Sequence, residues 1–244
     1  NLAREDNRIY TFLNNVGTPE ERKKIYDFQC LCFSRLNEIK TVLEQIATDA
    51  SWTFDMGFEK AVQLAILEYS FSFWQWGNSG FDNIPGKDAT AMELYNHLNN
   101  VVGFPFFEDK GMQDNRAFFW AGLTEMGIYG YQTEPFKQYL GNVPDFNFDF
   151  AKPKGTHPIF NKLAMQQVKA YLDSSAKNML FIYGGLDTWS ATAYISNGNN
   201  NLATMILPNG HHGTRIKNFP KKDRRHIYEL LEDWMQIKIT DPFE

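Results

Sequence analysis

Two apolar runs near the C-terminus each open into a turn that carries a group able to hold or move a proton. Asn178-Met-Leu-Phe-Ile-Tyr183 leads into Gly184-Gly185-Leu186-Asp187-Thr188-Trp189, and Leu202-Ala-Thr-Met-Ile-Leu207 leads into Pro208-Asn209-Gly210-His211-His212. A carboxylate bonded to one imidazole nitrogen fixes the tautomer and stabilises the imidazolium, so that the other nitrogen can take a proton from a hydroxyl. An acid followed by a base, each just past a strand, gives the second and third members of a serine-hydrolase triad in α/β-hydrolase order. Asp187 and His212 are the candidate catalytic residues, with His211 as the adjacent alternative for the base.

Such chemistry also needs a nucleophile. The nearest approach to a Gly-x-Ser-x-Gly elbow is Gly77-Asn78-Ser79-Gly80-Phe81, which lacks the final glycine. It follows Phe58–Trp76, a stretch that reads as helix, whereas an elbow requires a strand before the serine. Ser79 has the right place in chain order and the wrong local context. A hydrolase using Ser79 is therefore the lesser reading, and the expected nucleophile lies outside this sequence.

The elements that must position these groups follow from pattern. Thr18-Pro19-Glu20-Glu21 is an N-cap with proline and acids in the first turn, starting a long helix that breaks near Ser34. Phe58–Trp76 is apolar around most of its circumference, as in a buried helix. Further helices are expected over 88–98, 114–128, 157–175 and 220–237, with an irregular, proline-bearing stretch over 130–155. The expected division is a helical cap over 1–150 and the C-terminal part of an α/β domain over 151–244. Both strand candidates are apolar throughout, as parallel strands covered on both faces are. Two such strands cannot cover themselves, so further strands are expected from a missing N-terminal segment of the same hydrolase domain.

Composition excludes several classes of function. The chain has 244 residues, is 43% hydrophobic and carries a net charge of -5, which fits a packed globular protein. Basic residues are scattered apart from Lys221-Lys222-Asp223-Arg224-Arg225, so no nucleic-acid footprint is indicated. No run reaches the ~18 to 20 apolar residues of a membrane span, and the polar start Asn1-Leu-Ala-Arg-Glu-Asp-Asn does not read as a signal peptide. Cys30 and Cys32 lie two apart on a helix, facing different ways and poorly placed to bridge. His97 and His226 read as ordinary helical side chains and His157 as a loop residue. No metal-ligand spacing and no cofactor motif is present. Aromatic residues make up 16% and concentrate between Trp52 and Tyr131, where they are expected to form core and, in part, an apolar pocket.

The residues around the two turns carry a resemblance. Gly184-Gly185-Leu186-Asp187-Thr188-Trp189-Ser190-Ala191 followed by Asn209-Gly210-His211-His212-Gly213-Thr214-Arg215-Ile216 resembles the secreted bacterial tripeptidyl aminopeptidases of the Streptomyces mycelial type. Upstream, Arg4-Glu5-Asp6-Asn7-Arg8, Val16-Gly17-Thr18, Trp52-Thr53-Phe54 and Phe73-Trp74-Gln75-Trp76-Gly77 are similar to the cap of that family. The resemblance covers the C-terminal half of the family's length. It implies an α/β-hydrolase with a helical cap, a serine nucleophile in the half not present here, and a secreted or cell-envelope location. It also implies Asp187 as acid and His212 as base, because the family's glycine-x-histidine-x-x-arginine pattern falls on Gly210, His212 and Arg215. Thr188 stands where the family often has proline, and His211 where it often has asparagine or serine.

The expected function is that of a serine exopeptidase acting on peptide substrates with a free N-terminus, this chain alone being inactive. An exopeptidase must hold the substrate ammonium at a fixed distance from the scissile bond, and Glu59, Glu68 and Asp82 are candidate anchors. Trp74, Gln75 and Trp76 are expected either in the core or over the active site. The alternative is a non-catalytic interaction module that keeps the peptidase fold.

Overall fold

The computed structural model describes residues 7–196 and 201–243, so the Arg4-Glu5-Asp6 part of the family-like N-terminal motif lies outside the described residues. The first half is helical: α1 is Arg8–Leu13, α2 Pro19–Ser34, α3 Leu36–Ala50, α4 Phe58–Trp76 and α5 Ala91–Val101. Helix α2 starts as its sequence dictates. Thr18 accepts from Glu21 N and the Glu21 carboxylate accepts from Thr18 N, the reciprocal box that satisfies two orphan donors. It ends at Arg35, whose backbone at φ -117° and ψ 25° leaves the helical region before α3 begins. Helix α4 is buried over most of its surface from Ala61 to Gln75 and packs against α2, α3 and α5. It is the axis around which α2, α3 and α5 assemble.

Several boundaries differ from expectation, for local reasons. Helix α5 begins after Thr90, not at Asp88, because Thr90 and Glu93 form a second capping box. In place of the single helix expected over 114–128, α6 (Asp109–Asp114) ends where that helix should begin, and α7 (Arg116–Ala121) and a π-helical turn, Gly122–Met126, follow. Asn115 and the wide turn redirect the chain so that Ile128, Tyr129 and Tyr131 reach the core. A short helix α8, Lys137–Leu140, follows. Helix α9 spans Leu163–Ser174, five residues later than Pro158, since Asn161 accepts from Leu163 N and fixes the entry turn.

The expected strands are present. β1 (Met179–Gly184) and β2 (Leu202–Leu207) pair in parallel, in register from Met179 with Leu202 to Gly184 with Leu207. Helix α10, Lys221–Met235, closes the chain and stops at Gln236 in the left-handed conformation. Among the described residues the sheet has two strands, and the chain is mainly helical with this small parallel sheet. Leu186, Trp189 and Ala191, beyond β1, pack against the same apolar core as the first-half helices.

Candidate active site

The two turns meet because the parallel ladder continues past the strands. Gly185 N donates to Leu207 O at 2.7 Å and Leu186 N to Gly210 O at 2.8 Å. A Cβ on Gly184 would lie 2.4 Å from His211 O, and one on Gly185 2.4 Å from Pro208 O, so only glycine lets the turns approach this closely. The consequence is chemical. His212 Nδ1 donates to Asp187 Oδ2 at 2.8 Å, while Asp187 Oδ1 accepts from Trp189 N at 3.1 Å. Asp187 is buried and the His212 side chain is 44% exposed, so the acid is shielded and the imidazole is open to a reactant. With Nδ1 protonated, Nε2 is the nitrogen available as a base.

A second element fixes the same loop. The last four carbonyls of a helix have no partner within it, and those of α4 are taken up largely by the histidine turn. His211 Nδ1 donates to Trp74 O at 2.9 Å, and His212 N donates to Gln75 O at 2.8 Å. Gly77, at φ +63°, ends α4, and its N donates to Phe73 O at 3.4 Å. A Cβ there would sit 2.5 Å from His211 Nε2. The aspartate turn is tied to the same helix by Thr188, whose hydroxyl donates to Phe71 O at 3.0 Å. Proline at this position would lack that hydroxyl.

Sequence reasoning therefore placed Asp187 and His212 together and left His211 as a neighbour, which the geometry gives as an anchor on Trp74. The local setting of Ser79 is the one expected from its sequence. A helix, not a strand, precedes it, Gly77 is a helix terminus, and Ser79 Oγ donates to the Gly80 carbonyl at 3.3 Å. His97 is buried on α5 and bonds the Tyr69 hydroxyl at 2.8 Å, with its acidity increased by burial to a pKa of about 4. His157 and His226 are exposed. Among the described residues no cluster of His, Cys, Asp or Glu could hold a metal ion, and Cys30 and Cys32 are both unbridged.

Two cavities meet at His212. One, of about 770 Å³, runs along β1 and is lined by Val168, Leu172, Phe181, Tyr183, Asp187 and His212. The other, of about 420 Å³, lies under the helices and includes Trp76, Phe118, Tyr129, Phe148, Trp189 and His212. Trp76 meets the His212 ring edge to face, with centroids 5.0 Å apart, so it borders the imidazole while Trp74 and Gln75 are buried. Of the three acids considered as anchors, Glu59 and Asp82 are exposed, and only Glu68 reaches this second cavity.

Residues 1–241 match the family described as PS-10 peptidase S37. The chain belongs to the peptidase S37 family. It is also 26% identical over 242 residues to a prolyl tri/tetrapeptidyl aminopeptidase of Streptomyces mobaraensis, a match covering 96% of this chain and 50% of that protein. The chain thus spans about half the length of the curated relative it matches. No solved structure matches it.

What sequence reasoning missed in this S37 chain is the support around the pair. Thr188, His211 and the carbonyls of α4 form one clamp, yet their partners are separated by 117 and 137 positions and carry no local pattern. The Gly184-Gly185 doublet was the available signal, since adjacent glycines after an apolar strand mark a close backbone approach. Tyr129 and Tyr131, which hold Glu68, gave no such sign.

Proposed function

We propose that this S37 chain supplies the acid, the base and part of the substrate cavity of a serine exopeptidase that releases short peptides from free N-termini. The observation that carries the proposal is the 2.8 Å contact between His212 Nδ1 and Asp187 Oδ2 at the ends of two paired parallel strands. In this reading the serine comes from polypeptide outside the chain, in the half that the Streptomyces aminopeptidase has and this match does not cover. Its hydroxyl attacks the scissile carbonyl while His212 Nε2 takes the proton. The same nitrogen then gives the proton to the departing amine, and a water molecule, activated in turn by His212, releases the acyl group. Asp187 holds the tautomer throughout.

The surface along β1 supports the need for added polypeptide. Every side chain from Met179 to Tyr183 is only partly covered, and Val168, Tyr171 and Ile195 nearby are 44%, 52% and 61% exposed. Further strands placed there would complete an α/β-hydrolase sheet, cover these groups and bring a serine to the β1 cavity, where Asp187 and His212 already face. The helices of 1–150 would then act as a lid over the substrate.

A fluorophosphonate probe tests the proposal. A polypeptide joining this chain to the remaining half should be labelled on a serine outside the chain, and His212→Ala should abolish labelling. The chain alone should not react. Failure of the joined polypeptide to react would favour the non-catalytic module, and labelling at Ser79 would overturn the assignment of the nucleophile.

A further inference from the structure

Glu68 is 6% exposed and sits in the middle of α4, among the most apolar surroundings in the protein. Its carboxylate accepts three hydroxyl hydrogen bonds, from Ser72 to Oε1 at 2.8 Å and from Tyr129 and Tyr131 to Oε2 at 2.8 and 2.7 Å. Among the described residues no lysine or arginine pairs with it. Three hydroxyls pointing at one carboxyl supply donors to both oxygens of an anion. Burying an unpaired anion costs several kcal/mol, a cost that a protein without use for the charge avoids by placing a glutamine or an apolar residue there.

The position of this charge relative to His212 is fixed by one helix. Glu68 and Ser72 line the same cavity of about 420 Å³ as Gln75, Trp76 and His212. Glu68 and Gln75, the residue whose carbonyl holds His212 N, are two helical turns apart, about 10 Å along the axis. Three residues of extended peptide also span about 10 Å. The walls between, formed by Trp76, Phe118, Tyr129 and Phe148, are aromatic and offer no competing charge.

We propose that Glu68 is the specificity-determining anchor for the substrate's α-ammonium group, and that α4 acts as the ruler that sets the released peptide at about three residues. The inference rests on the peptidase reading of the same site, but its cavity is built by this chain alone and can be tested without the serine. The ammonium donates to the carboxylate oxygens already oriented by Ser72, Tyr129 and Tyr131, and the first three side chains occupy the aromatic cavity leading to His212.

The test is titration calorimetry of this chain with trialanine amide and with its N-acetylated form, in native protein and in Glu68→Gln. The native chain should bind the free amine at least tenfold more tightly than the acetylated peptide, and Glu68→Gln should reduce that ratio to near one. Equal affinities in the native chain, no binding of either peptide, or an undiminished ratio in the variant would each overturn the proposal. A second measurement needs no variant and covers the case in which Glu68→Gln does not fold. The groups facing Glu68 are the Ser72, Tyr129 and Tyr131 hydroxyls, with Tyr10 behind them on Gly130 O and His212 at the far end of the cavity. Burial and the Glu68 charge hold Tyr129 and Tyr131 well above the ordinary phenol range, so neither titrates near neutrality. Carbon-13 NMR of the Glu68 carboxyl should show its pKa falling when trialanine amide is added and unchanged with the acetylated peptide; an identical response to both would refute the anchor. Because neither measurement involves the nucleophile, a negative result here alongside successful fluorophosphonate labelling would remove the anchor and leave the peptidase assignment standing.

Discussion

His211 and His212 are neighbours in sequence with different attachments, and the difference supports the separate roles proposed for them. His212 hands Nδ1–H to Asp187 and lines both cavities, whereas His211 spends Nδ1–H on the Trp74 carbonyl. In a polypeptide that also carries the serine, Asp187→Asn is expected to lower kcat by about 10⁴-fold, since the amide cannot hold the reactive tautomer. Steady-state assay of a chromogenic peptide checks this. His211→Ala is expected instead to cost about 1 to 3 kcal/mol of stability, the desolvation penalty of the carbonyl left unpaired at the end of α4; chemical denaturation measures it. Glu68 adds a third, pH-linked outcome. Burial raises its pKa above the ordinary carboxylate range, against the pull of hydrogen bonds from Tyr131, Tyr129 and Ser72. Folded protein therefore holds this proton more firmly than unfolded chain, and the stabilisation present below the ordinary carboxylate pKa is lost as pH rises through the raised value. Glu68→Gln should remove that loss, so its unfolding midpoint should fall less with rising pH than that of the native protein does.

Among the elements, α4 and the two strands were readable and their mutual attachment was not. Apolar density from Ala61 to Gln75 marks a buried helix, and the unbroken apolar runs ending at Tyr183 and Leu207 mark parallel strands, because burial is written in local composition. The pairing of Asp187 with His212 was legible for the same reason, each lying one turn beyond its strand. The clamp of Phe71, Trp74 and Gln75 carbonyls was hidden, because backbone acceptors have no residue type to announce them. The 114–128 segment misled since its apolar residues keep helical spacing while Asn115 and the π turn break the axis. Gly184→Ala is expected to destabilise the protein by about 1 to 3 kcal/mol through forced separation of the turns, and in the joined polypeptide to reduce kcat more than it raises KM. Helix α5 contributes an acid-sensitive site. Burial lowers the His97 pKa from 6.5 to about 4, so the unfolded chain takes up a proton that the folded chain refuses. Stability from this group is complete above about 6.5 and is lost as pH falls toward 4. A His97→Phe variant should show a flatter stability profile across that window, read by thermal unfolding.

At the scale of the molecule, the helical half and the strands are joined by shared core and by the helix α4 terminus rather than by the linker between them. Trp189 tilts against Tyr129 with centroids 5.3 Å apart, and the 188–192 turn packs on α1 and α4. The division into a helical cap over 1–150 and the C-terminal part of an α/β domain over 151–244 remains a proposal, and limited proteolysis is its measure: cleavage near 150 with both pieces still associated would fit it. The half-covered β1 surface predicts that the isolated chain binds a hydrophobic dye more strongly than the joined polypeptide does, and an equal signal from both would argue against further strands docking there. One consequence of the α4 terminus concerns heating. The last two turns of this helix retain acid and base loops alike through carbonyls of Phe71, Trp74 and Gln75. If those two turns fray, both groups come adrift together, so in the joined polypeptide warming would extinguish the proposed catalysis abruptly while circular dichroism still reports most of the helix.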